Sequence, residues 1–157
     1  MSVTRIKEYI VIAVVLFISI PVHEYGHYAV AERDGAQIYV YNYFVNFEDG
    51  RFSNPSITVN ELTFSSPLVL IEFYLAGFLI IFVPGLLMSS ILYFMRANYW
   101  KYPFMWVISA PLVSLSDFNR LFELLDLMHI SRWIYVALGV VATLMLGFMR
   151  GTNFDVH

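Results

Sequence analysis

The chain has 157 residues, enough for one domain; 59% are hydrophobic, only 13% are charged, and the mean hydropathy is +0.68. Soluble domains carry about 25% charged residues, so this balance points to a lipid bilayer as solvent. A net charge of -3 without a basic tract argues against nucleic acid as a partner, and the absence of cysteine excludes disulfides and thiolate metal ligands.

The first apolar segment runs from about Tyr9 to Ala31. As a helix it spans roughly 34 Å, enough for a bilayer core. Within it lies His23-Glu24-Tyr25-Gly26-His27. Histidines four apart share one helix face and can grip one Zn²⁺, and the glutamate between them can take a proton from a water at the open position. Ionisable groups are costly in a bilayer, so they imply a function there. Arg5 and Lys7 before the apolar run, and Ala29-Val30-Ala31 at the end of the segment, resemble a signal peptide and its cleavage site. Cleavage there would discard the histidines, which favours a retained span.

The region of about residues 36–64 changes character. Ile38–Val45 is rich in strand formers, Glu48-Asp49-Gly50-Arg51 is a turn signal, and Ser56–Asn60 is a partner strand. This predicts a small hairpin at the membrane interface. It either covers the helices or offers an edge to an unwound substrate.

Three further spans follow, at about 66–95, 103–126 and 133–149. Gly77, Pro84 and Gly85 interrupt the second and predict a tilt or kink. The whole reads as a single membrane-embedded domain over 1–157: an all-α polytopic protein of about four transmembrane helices, with the β-hairpin between helices 1 and 2.

Zinc needs a third protein ligand. Arg33 occupies the position where an extended motif would place a third histidine. Glu48 has a thermolysin-like spacing but falls in the predicted turn. Asp117 has a better position. Segments one and three run in the same direction, and His23 and Asp117 lie eight to nine residues before their ends, at a common depth of roughly 12 Å. The alternative for Asp117 is an ion pair with Arg120, three residues on. Glu72 enters segment two from the same surface, either as an interfacial carboxylate or as support for a zinc histidine. Asn119 is a candidate for binding a substrate backbone, or simply faces another helix. His129 and His157 read as solvated.

With these residues in place, the chain resembles the site-2 protease family of intramembrane zinc metalloproteases. His23-Glu24-Tyr25-Gly26-His27-Tyr28, followed by Ala31, Arg33 and Gly35, is similar to that family's first motif. Leu75-Ala76-Gly77 looks like the start of its next core helix. Asp117 fits the aspartate of the third-helix pattern N-x-x-P-x-x-x-x-D-G. Phe118 replaces the glycine, Ser109 and Leu112 stand for the asparagine and proline, and Pro111 is one residue off. The resemblance covers roughly residues 5–126. It implies a minimal form without PDZ or CBS domain, strands that bind an extended substrate, and regulation by a membrane partner or by prior trimming of the substrate.

The function expected is that of a zinc endopeptidase cutting a peptide bond within or near a transmembrane segment of a substrate protein. His23, His27 and Asp117 hold the metal and Glu24 is the base. One alternative is a non-proteolytic membrane protein that keeps the fold and binds a partner helix. Another is a prenyl-protein type protease with Glu123 as third ligand. For orientation, the excess of Arg and Lys places the amino terminus in the cytoplasm, whereas the resemblance places the active-site end near the cytoplasmic face.

Overall fold

The computed structural model describes residues 3–42, 46–48, 51–53 and 55–128, together with 133, 136, 137, 139 and 140. These residues are mostly helical, with small antiparallel sheets between the first two helices. Helix α1 (Val3–Asp34) is followed by strands β1 (Ile38–Asn42), β2 (Asn46–Glu48), β3 (Arg51–Ser53) and β4 (Ser56–Val59). Helices α2 (Pro67–Phe94), α3 (Lys101–Val113) and α4 (Leu115–Leu124) come next. Most of the fourth predicted span lies outside the described residues. Within it, Trp133, Val136 and Val140 are helical and exposed.

Helix α1 stops where Gly35 adopts φ 73°, a left-handed conformation that costs glycine little. Ala36 N–H reaches back to Ala31 O and Gly35 N–H to Glu32 O, which satisfies carbonyls the helix end would orphan. Helix α2 starts with Ser66 as cap, its Oγ accepting from Val69 N–H, and with Pro67 where no N–H is needed. Among the described residues, α2 is the one helix that meets both length and apolarity criteria for crossing a membrane. Gly77, Pro84 and Gly85 do not end it: a single α-helix continues from Pro67 to Phe94.

The third predicted segment differs from expectation. It is two helices, broken at Ser114, whose φ -96° and ψ 10° depart from helical values. The break follows Pro111, which removes one helix hydrogen bond and crowds the preceding turn.

The hairpin occurs in two pieces. β1 pairs antiparallel with β4 (Tyr41 opposite Ile57, Asn42 opposite Ser56), and β2 pairs with β3 through Asn46 and Ser53. A register shift lies between Ile38 and Val40, so Tyr39 is the extra residue of a bulge. Ile38, Ile57 and Val59 pack against a core of Val30, Ala31, Ala36, Leu70, Phe73, Tyr74 and Leu121. The sheet is thereby fixed over the carboxyl-terminal end of α1.

Polar contacts tie that end together. Arg33 forms a two-point ion pair with Glu72 at 2.7 and 2.8 Å. Asp34 accepts hydrogen bonds from both the hydroxyl and the N–H of Ser65. Those bonds, hydroxyl first, hold the Asp34 carboxyl below the usual carboxylate range. A depressed folded-state value makes this tie stabilising above the ordinary carboxylate pKa, and the contribution is lost as pH falls through the lowered value. Comparing thermal melts of wild type and Asp34→Asn should therefore show a gap near neutrality that closes in acid, as the pH falls past the ordinary carboxylate range and through the lowered value.

Candidate metal centre

Two helices bring His23, His27 and Asp117 together. On α1, positions 23 and 27 lie one turn apart on one face. Asp117 sits in the first turn of α4, just past the break at Ser114. Their inward atoms form a small triangle: His23 Nε2 to Asp117 Oδ2 is 2.8 Å, His27 Nε2 to Asp117 Oδ2 is 3.2 Å, and the two Nε2 atoms are 3.1 Å apart. Four-coordinate zinc with bonds of about 2.0–2.1 Å has ligand–ligand edges of about 3.3 Å. The triangle therefore fits one face of a zinc tetrahedron. Among the described residues it is the one group of three His, Asp or Glu side chains close enough to hold a metal.

The outward histidine atoms are also held. His27 Nδ1 donates to the carbonyl of Phe73 at 2.6 Å, and His23 Nδ1 lies 3.3 Å from Ser114 Oγ. Each ring thus turns Nε2 toward the triangle. This is the arrangement in which a metal-binding histidine is oriented by a second hydrogen bond. Both histidine side chains are only 3–4% exposed, whereas Asp117 keeps 15%, so the open side of the triangle is the aspartate side.

Close helix packing makes this reach possible. A Cβ on Gly26 would lie 2.7 Å from Ala76 O, so the α1 and α2 backbones nearly touch. A Cβ on Gly77 would lie 2.5 Å from His23 Nδ1 and 2.5 Å from His27 Nε2. The missing side chain at position 77 is the space the rings occupy, one turn above the Phe73 carbonyl.

Glu24 is half-buried beside the histidines, and its Oε2 accepts the N–H of Ile57 at 2.9 Å. That N–H points away from β1, so the second edge of β4 faces Glu24. Among the described residues no strand pairs with that edge.

The other candidates fall elsewhere. Arg120 pairs with Glu123 at 3.0 Å, not with Asp117, and both are exposed. That pairing corrects the expected ion-pair alternative for Asp117, and Glu123 does not join the triangle. Glu72 faces outward to Arg33; the histidine support it was considered for comes instead from its neighbour's backbone carbonyl. Glu48 belongs to β2, and its side chain lies outside the described residues. Asn119 is exposed on α4. His129 and His157 lie outside the described residues. Phe118, where the pattern the sequence resembles has glycine, lies tilted against Phe78 of α2 with ring centroids 5.3 Å apart. Ser109, at the asparagine position, is fully buried and lies 3.0 Å from Ser19 of α1.

No protein-family model, curated protein or solved structure matches the chain.

Proposed function

We infer that this chain is a membrane-embedded zinc endopeptidase of the site-2 protease kind. The observation that carries the reading is the triangle of His23, His27 and Asp117, with both histidines oriented from behind and Glu24 alongside. Zinc held there would polarise a substrate carbonyl and lower the pKa of a water toward neutrality. Glu24 then accepts the proton of the attacking water and returns it to the departing amine. The aspartate side of the site admits that water.

In this reading α1 and the α3–α4 pair cross the bilayer beside α2. A transmembrane substrate helix hides its backbone and must unwind to be cut. The edge of β4 beside Glu24 offers backbone partners to the unwound stretch, which offsets part of the lost hydrogen bonding. Helix-breaking residues near the cut site ease unwinding.

Purified protein in detergent should hold about one zinc per chain. It should also cut a synthetic transmembrane peptide carrying a Gly-Pro pair, stop on chelation and recover with zinc. Protein that takes up no zinc at saturating metal would end this reading.

The active-site end is assigned to the cytoplasmic face. The chain has no cysteine, and Leu62 beside the sheet is 94% exposed. Leu62→Cys should react with an impermeant thiol reagent only after the cytoplasmic side is opened. Labelling of intact cells would reverse the orientation.

A further inference from the structure

The geometry points to Ser114 as a positioning residue that orients His23 for metal binding; this rests on the metal-centre reading above. Ser114 is fully buried and occupies the break between α3 and α4. Its Oγ lies 3.3 Å from His23 Nδ1. Because His23 turns Nε2 toward Asp117, a neutral ring that ligates through Nε2 must carry its proton on Nδ1. That proton has Ser114 Oγ as acceptor. The hydroxyl thus selects the tautomer and fixes the ring plane, as the Phe73 carbonyl does for His27.

A second contact shows why the serine is there rather than one residue earlier. Ser19 and Ser109 meet at 3.0 Å, both fully buried, and Ser19 donates onward to Val15 O at 2.8 Å. Ser19 and His23 are four residues apart on α1, whereas their partners Ser109 and Ser114 are five apart. An unbroken helix would bring position 113 beneath His23, and position 113 is valine. The break lets the chain deliver a hydroxyl at the fifth residue and then start α4 with Asp117 in its first turn. The same irregularity therefore supplies a ligand and the support for another ligand. The neighbouring Ser19–Ser109 contact ties the helices but touches no ligand.

The probe is zinc alone, titrated into detergent-solubilised full-length protein against a chromophoric chelator. Ser114→Ala should weaken zinc binding by roughly 10–100-fold, the usual cost of losing such a partner. Ser109→Ala removes the helix tie and should leave affinity within about twofold, since no ligand loses its partner. Cobalt substituted for zinc should show an altered visible spectrum in Ser114→Ala and an unchanged one in Ser109→Ala. Wild-type-like zinc binding by Ser114→Ala, or equal losses in both variants, overturns the assignment while leaving the metal centre standing. A wild type without zinc overturns both. Should Ser114→Ala not fold, ¹⁵N shifts of the His23 ring in zinc-loaded wild type decide. A protonated Nδ1 supports the assignment, and a protonated Nε2 overturns it.

Discussion

Glu24→Gln should purify with as much zinc as wild type and cut a transmembrane peptide slower by about 10²–10⁴-fold, the range for losing a general base. Glutamine keeps the side-chain length and can still accept the Ile57 N–H through its carbonyl oxygen, so β4 stays in place. It cannot take a proton. His23→Ala and Asp117→Ala should instead lose the metal, because two remaining ligands leave zinc short of the three that catalytic sites use. Metal analysis beside a cleavage assay on the same preparations separates the two outcomes. Zinc retained without Asp117 would move the third ligand elsewhere. Undiminished cleavage by Glu24→Gln would remove Glu24 from the chemistry.

The parts of this site legible in the sequence were those written in side-chain letters at helical spacing. Two histidines four apart required only a helix, and α1 supplies one. Asp117 emerged from depth: parallel segments placed it level with His23, and the two now meet at 2.8 Å. Arg120 was ambiguous because it lies three residues from both Asp117 and Glu123. The fold decides by turning Asp117 toward α1 and the other two outward. Glu72 was likewise ambiguous until Arg33, from another helix, paired with it.

The support for His27 was not legible, because a backbone carbonyl has no letter of its own. Its trace was Gly77, which read as a helix interruption and as part of the Leu75-Ala76-Gly77 resemblance, not as space for a histidine ring. The break at Ser114 was hidden for a related reason. Pro111 read only as a proline one residue off the resembled pattern, the apolar run continues through it, and where the chain departs from helix depends on what α1 requires of it. The departures from the family's third-helix pattern take on a structural meaning here. Phe118 fills space against Phe78, and Ser109 serves the α1–α3 contact.

Gly77→Ala should abolish zinc binding, although alanine favours a helix over glycine by up to about 1 kcal/mol. The added methyl carbon would sit 2.5 Å from both His23 Nδ1 and His27 Nε2, well inside contact distance. Relief by moving the rings breaks the hydrogen bonds to Ser114 and Phe73 and turns Nε2 away from Asp117. Relief by separating the helices undoes the close approach at Gly26 and Ala76. Either route opens the triangle. Gly85→Ala is the comparison: its methyl would meet Trp106 Cβ at 2.9 Å and Pro103 O at 3.0 Å, near no ligand. That variant should lower thermal stability in detergent yet keep its zinc. Crowding between α2 and its neighbours is common to both positions, so a difference in metal content isolates what position 77 does. Wild-type zinc affinity in Gly77→Ala would mean that the rings have room the packing denies them, and the metal centre would have to be built differently.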